Sequence, residues 1–301
     1  MTLQQLRQVL TIAESNSMNE AAKKLFVSQP NLSATVREVE EELGITVFMR
    51  NNRGITVTAE GEEFLGYAKQ VVEQYHLLEN RYLNVESKKK FSVSMQHYSF
   101  AVKAFVQLAK EVGMDEYEFA VHETKTKEVI DNVKNLKSEI GVLYLSDFNE
   151  KVLRKLFKEC DIEFKELFTC NTYVYLWKKH PLAGQKEITL DDLQEYPCLT
   201  FEQGVNHSFY YAEEMMSTYE YKRVIKADDR ATMLNLMVGL NGFTLCSGII
   251  SEDLNGDDYA AIPLKESEKM HIGYIKHKGT KLSKLGEIYI DALKNYENKV
   301  L

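Results

Sequence analysis

Residues 28–53 read SQPNLSATVREVEEELGITVFMRNNR, and the order of residue types in this stretch decides how the rest of the chain is organised. Ser28 is placed to cap a helix, and Pro30 fits the first turn, where a missing N–H costs nothing. Leu32, Val36, Val39 and Leu43 then recur at helical steps, the apolar stripe of a buried face. Gln29, Ser33 and Arg37 fall on the opposite side. Their short or forked hydrogen-bonding groups match the edges of bases in the major groove. Upstream, Ser17 and Glu20 have capping-box spacing and open a short helix expected to run through Ala21, Ala22, Leu25 and Phe26. Two short helices joined by a tight turn, the second capped and amphipathic, make a helix-turn-helix. Alone, that pattern is weakly specific.

The continuation is more specific. Gly44 stops the helix, and Val47-Phe48, Arg50-Asn51-Asn52-Arg53-Gly54 and Ile55-Thr56-Val57-Thr58 read as strand, basic turn and strand. A hairpin with Arg50 and Arg53 at its tip is a wing, because guanidinium forks suit phosphate and minor-groove contact. On SQPNLS, EEELG, VFMRNNRGITVTAEG and the long helix after them, the first 88 residues resemble the N-terminal part of a LysR-type transcriptional regulator. The fold expected is an N-terminal all-α winged helix-turn-helix over residues 1–58 with a linker helix over 59–89. The candidate DNA contacts are Ser28, Gln29, Pro30, Asn31, Ser33, Ala34, Arg37, Arg50 and Arg53. Ala34 stands where family members often carry a long polar or basic residue, and Asn31 where they carry a small one. The footprint is expected to differ there.

Length and charge bound the remainder. The chain has 301 residues, 44% of them hydrophobic, and a formal net charge of −8, which is not that of a general polyanion binder. Residues 1–58 carry six basic and six acidic side chains, whereas residues 91–301 carry 26 basic against 33 acidic, so any DNA contact must be local to the N-terminal part. No apolar run approaches the ~20 residues that span a bilayer. The amphipathic opening, with Thr2 and Gln5 as a capping box, lacks the features of a signal peptide, so a cytoplasmic protein with no membrane partner is expected. Cys160, Cys170, Cys198 and Cys246 show no metal-ligand spacing, and the seven histidines are scattered. No metal or cofactor is expected. Buried free thiols are the leading reading, and a redox pair of Cys160 and Cys170 is the alternative.

Residues 59–88 hold no proline and fit one long helix. Phe64, Val71, Leu78 and Val85 are seven apart, with Ala68, Tyr75 and Tyr82 between them, an a/d ladder for a partner helix. In the resembled family this segment is the dimerising linker, which implies a homodimer or homotetramer. Packing on its own domain is the alternative.

Residues 91–145 alternate FSVSMQ, a helix over 100–111 capped by Ser99, YEFAVH, a helix over 127–136 capped by Thr126, and EIGVLYL, a parallel β-α-β-α-β unit. A charged helix follows near 149–159. LFTCNTYVYLWKKHPLA, ITLDDLQEYPCLTFEQG, MLNLMVGLNGFTLCSGII and KLSKLGEIYIDAL stand in the order of the LysR-type effector domain. Helices are expected at 209–217, 230–240 and 282–297. The resemblance implies a C-terminal α/β effector domain of two subdomains, resembling periplasmic solute-binding proteins: residues 90–162 with 269–301, and residues 163–268. The chain is expected to leave the first subdomain near Glu163 and return near Lys269.

Ligands of open α/β sheets bind beyond the carboxyl ends of strands, where helix N-termini present free N–H groups. Those positions here are His97, Tyr98 and Ser99; Thr124, Lys125 and Thr126; Phe201, Gln203 and Gly204; Arg230; and Ser247 and Gly248. Lys125 and Arg230 make an anionic small molecule one candidate, although Glu123 and Asp229 lie beside them. Phe209, Tyr210, Tyr211, Tyr219 and Tyr221 are read as packing a helix onto the sheet. The leading function is sequence-specific DNA binding modulated by a small-molecule effector. A solute-binding protein with an unrelated N-terminal extension and an enzyme are the competitors. Against the last, no nucleophile motif, P-loop or dinucleotide fingerprint is present.

Overall fold

A computed structural model describes residues 1–15, 17–51, 54–82, 88–113, 116–204, 208–250 and 252–296. The chain divides into two compact units, Met1–Ser87 and Lys88–Leu301.

In the first unit, α1 (Leu3–Ala13) opens on the reciprocal capping box of Thr2 and Gln5, and α2 (Met18–Lys24) on the Ser17 hydroxyl. Next, α3 (Gln29–Leu43) is capped by Ser28 and ended by Gly44 at φ 68°, a left-handed turn that glycine adopts without strain. Strands β1 (Phe48–Asn51) and β2 (Gly54–Val57) form an antiparallel hairpin, and α4 (Ala59–Tyr82) follows. Val9, Ile12, Ala21, Leu32, Val36, Val39, Val47 and Phe48 make the core. Leu43, expected on the inner stripe, is 38% exposed, because the core ends one turn before the helix does. Glu40, one of the acidic residues late in α3, accepts from the backbone N–H groups of Val47 (2.7 Å) and Phe48 (3.0 Å), which ties the hairpin to the recognition helix. Gly61 is required where α4 passes this joint, since a Cβ there would lie 2.3 Å from the Val47 carbonyl oxygen.

Two further expectations for this unit change. Helix α2 ends at Lys24 and not at Phe26: Phe26 donates to Lys23 O (3.3 Å) and Val27 to Ala22 O (3.1 Å), and Phe26 sits at φ 56°. The seven-residue ladder along α4 also divides. Ala68 (2% exposed) and Val72 pack with Leu6, and Phe64 packs against the same cluster, so α1 takes this face. Val71 and Leu78 remain 51% and 55% exposed, with Tyr67 and Tyr75 beside them. A straight helix of 3.6 residues per turn drifts from a strict heptad, so one ladder can serve two neighbours. The side chain of Tyr82 and all of Val85 lie outside the described residues.

The second unit runs β3 (Lys89–Met95), α5 (Ser99–Val112), β4 (Tyr117–Glu123), α6 (Thr126–Lys134), β5 (Ile140–Leu145), α7 (Glu150–Glu159) and β6 (Ile162–Cys170). It continues with β7 (Tyr173–Trp177), α8 (Leu190–Leu193), β8 (Cys198–Phe201), a 3-10 turn (Phe209–Tyr211), β9 (Val224–Ala227), α9 (Arg230–Leu240) and β10 (Thr244–Cys246). Then come α10 (Glu252–Asn255), β11 (Tyr259–Pro263), β12 (Met270–His277) and α11 (Lys284–Lys294). The first lobe is a sheet of order β4-β3-β5-β12-β6, parallel through β3, β4 and β5 and antiparallel at β12. The second lobe holds β10-β7-β11 and the parallel pair β8-β9. Strand β6 stays paired with β12 as far as Cys170, so the chain passes to the second lobe after Cys170 and not near Glu163. The two strands pair along their length with a register shift between Ile272 and Gly273, and both lead into the second lobe.

Local chemistry places the closing helix. Glu139, which precedes β5, accepts from Ser283 N (2.7 Å) and Ser283 Oγ (2.8 Å) at the start of α11, where negative charge is favoured. Of the helix expected at 209–217, only the 3-10 turn forms; the chain then turns inward and buries Glu213, Glu214 and Met215.

Candidate nucleic-acid interface and ligand cavity

On α3, Leu32, Val36 and Val39 face the core, and Pro30, Asn31, Ala34 and Arg37 are exposed together with the capping Ser28. Gln29 and Ser33 are half-buried, and Gln29 Nε2 donates to Ser33 Oγ at 2.7 Å. That bond holds two polar groups in one orientation at the N-terminal end of the helix, which is the end that reads base edges in helix-turn-helix docking. Arg50 pairs with Ile55 through its backbone. The side chain of Arg50 and the whole of Arg53 lie outside the described residues.

A cavity of about 90 Å³ lies between the two lobes of the second unit. Six of the residues expected around a ligand line it: His97, Tyr98, Ser99, Phe201, Arg230 and Ser247. Thr124, Lys125, Thr126, Gln203, Gly204 and Gly248 do not. Its body is apolar, with Phe100, Met233, Leu234, Leu245 and Ile249, none of them among the polar strand-end positions expected to hold a ligand. Tyr175 Oη and Thr244 Oγ1 are buried with no well-aligned hydrogen bond, and both residues line the cavity.

The helix starts carry a different chemistry from the one expected. Ser99 and Thr126 are the first residues of α5 and α6, and neither helix has a side-chain cap. Thr126 instead accepts from Gln96 Nε2 (2.6 Å) and donates to Tyr211 O (2.8 Å), so a first-lobe threonine is fastened to the second lobe. Gln96 is itself held by Tyr98 Oη (3.0 Å) and Tyr144 N (3.2 Å). The donors that would grip an anion are engaged. Glu213 accepts from His97 N (2.9 Å) and from Gln203 Nε2 (2.9 Å), and its Oε2 lies 2.8 Å from His97 Nδ1. The N–H of Thr126 reaches Gln203 Oε1 (3.2 Å). Arg230 pairs with Glu123 (2.9 Å), and Lys125 lies 3.6 Å from Asp228. The His97 ring stacks on Phe201, with centroids 3.6 Å apart and planes at 5°.

Glu214 lies behind this latch and accepts from Phe201 N (2.8 Å). Burial, and then the neighbouring Glu213 carboxylate, push it up to about 8. It therefore keeps its proton in the folded chain at pH values where the unfolded chain has lost it. With the folded value raised above the ordinary 4.5, its contribution to stability is full below that pH and is lost as pH rises through about 8. The slope from this one group is at most about 1.4 kcal/mol per pH unit. Glu214→Gln is expected to flatten the fall in melting temperature over that window; an unchanged pH profile would contradict the assignment.

The four thiols give little support to a redox pair. All are free. Cys160 and Cys170 lie in separate apolar clusters, and burial pushes both up, Cys170 to about 12, away from the reactive thiolate. Cys246, on the cavity wall, is likewise pushed up to about 12. Among the described residues no group of His, Cys, Asp and Glu could hold a metal ion, and no helix is long and apolar enough to cross a membrane.

A winged helix-turn-helix unit and a two-lobed α/β unit with a cavity between its lobes define a regulator that joins DNA binding to a ligand-binding domain. Residues 3–62 match the bacterial regulatory helix-turn-helix protein, lysR family, and residues 101–297 match the LysR substrate binding domain. The chain belongs to the LysR family of transcriptional regulators. It is 26% identical to the HTH-type transcriptional regulator CysL of Bacillus subtilis over 98% of both chains. A full-length OxyR variant from Pseudomonas aeruginosa shares the fold at TM-score 0.70 and 19% identity, over 98% of this chain and 95% of that one. CbnR, a LysR family transcriptional regulator, does so at TM-score 0.59 and 17% identity, over 98% and 99%.

Proposed function

We propose that this regulator reads its operator with Gln29, Ser33 and Arg37 of α3, pairs with a second copy through Tyr67, Val71, Tyr75 and Leu78 of α4, and acts in the cytoplasm. The hairpin arginines Arg50 and Arg53 add phosphate contacts. Its effector occupies the cavity between the lobes. The observation that carries this reading is the cavity itself, walled by both lobes and fringed by buried polar groups that lack well-aligned partners. The effector is a compact, uncharged molecule. Its apolar body meets Phe100, Met233 and Leu245, and its polar group meets Thr244 and Tyr175. An anion finds no open donor pair, because Glu213 already occupies the N–H of His97 and the amide of Gln203.

The test is a thermal-shift screen of uncharged and anionic metabolites on the full chain, repeated with Thr244→Val. Hits among uncharged compounds that are lost in Thr244→Val support the cavity; hits that bind the variant equally place the ligand elsewhere. A second result follows from Glu213. Its removal leaves three donors facing a vacated carboxylate site, so formate is expected to raise the melting temperature of Glu213→Ala while leaving the parent unmoved. An equal response of both chains would show that the carboxylate is not filling an anion site.

A further inference from the structure

Phe26 is the least economical residue in the first unit. It stands just beyond α2, after Leu25 as C-cap, and closes the helix with the two bonds of a Schellman turn, Phe26 N to Lys23 O and Val27 N to Ala22 O. The residue at this position must adopt a left-handed backbone, and Phe26 does so at φ 56°. Glycine or asparagine fits that conformation; a bulky side chain is strained in it. The ring gains nothing in return from the fold, since 97% of its surface is exposed. Neighbouring Leu25 and Val27 both pack on the core, so the chain points an aromatic residue outward between two inward residues.

Its location supplies a partner. Phe26 lies two residues before Ser28, the cap of α3, in the turn that joins the two helices of the motif. In helix-turn-helix docking the N-terminal end of the second helix enters the major groove while the first helix crosses the backbone, which leaves the turn between them at the edge of that groove. Two apolar surfaces lie within reach there, the thymine 5-methyl groups on the floor of the groove and the deoxyribose along its backbone edge. We infer that Phe26 is a DNA-contact residue that seats its ring on one of these apolar surfaces of the operator. The inference rests on the DNA-binding reading of α3.

The test separates this from a structural role. Duplexes are selected from a random pool by the full chain, and affinity and melting temperature are measured for the parent, Phe26→Asn, Phe26→Gly and Phe26→Leu. Asn and Gly relieve the left-handed strain, so no transition of either variant is expected below that of the parent, yet operator affinity is expected to fall at least tenfold. Leu keeps an apolar side chain and is expected to stay within threefold. Deoxyuridine in place of thymidine distinguishes the two surfaces: it weakens the parent but not Phe26→Asn if the ring meets a methyl group, and changes neither if it meets deoxyribose. Asn and Gly variants that bind within twofold of the parent, or that lose affinity together with melting temperature, overturn the inference. Failure of the parent to enrich any duplex overturns the DNA-binding reading and the role of Phe26 with it.

Discussion

Val71→Asp combined with Leu78→Asp is expected to yield a monomer that no longer binds a duplex with two half-sites. Both side chains lie on the face of α4 that α1 leaves open, and both are more than half exposed in the single chain. Full burial of a valine and a leucine against a second helix contributes roughly 1.5 to 3 kcal/mol each. The double substitution removes that gain and adds charges that would have to be desolvated without partners, at a cost of several kcal/mol. A monomer engages one half-site only. The loss of the linked second contact weakens binding by roughly 10²–10⁴-fold. Sedimentation reads the first outcome and anisotropy titration the second, while the melting transition of the second unit should not move. A double variant that remains dimeric would show that this stripe is not the interface. Ala68 provides the contrast: it is buried against Leu6, so Ala68→Asp is expected to unfold the first unit and not merely to separate subunits.

The second large effect is on sequence reading. Arg37→Ala is expected to cost roughly 1 to 3 kcal/mol of operator affinity and to relax preference at one base pair, because an exposed guanidinium beside Ser33 is placed for bidentate contact with a guanine edge. The change should be small on unrelated duplex. A phosphate contact would behave otherwise, with similar loss on every sequence and a salt slope lower by about one. If Arg37→Ala binds selected and unrelated duplexes as the parent does, this face of α3 does not read DNA.

Much of the first unit is legible in its sequence because its signals are local. Ser17, Ser28, Pro30 and Gly44 mark helix ends by chemistry that acts within one turn, and Leu32, Val36 and Val39 give the buried side. Phe26 escapes such a reading. The residue that stops α2 is expected to be glycine or asparagine, and an apolar residue there looks like one more step of the helix. The ladder on α4 is visible as a period, yet its division between α1 and an open face depends on Leu6, far away in sequence.

In the second unit the parallel β-α-β-α-β start is legible for the same reason, while the reach of β6 into the first sheet is set by its pairing with β12 a hundred residues on. Glu213 and Glu214 are the most instructive omission. Two adjacent glutamates after a run of aromatic residues look like the solvent face of a helix. The N–H of His97 from the opposite lobe and the amide of Gln203 give Glu213 a reason to be buried, and Glu214 follows it inward. The cavity wall is illegible in a similar way, since Tyr175, Met233 and Thr244 come from three elements separated in sequence, β7, α9 and β10, that meet only when the second lobe folds.

Specific DNA binding by the full chain is the property from which every other role proposed for its residues follows. The direct measurement is an anisotropy competition near physiological salt between the duplex that the chain selects from a random pool and a scrambled duplex of the same composition. The expected ratio of affinities is on the order of 10³ or more, the range of sequence-specific regulators. Equal affinity for the two duplexes would contradict the account.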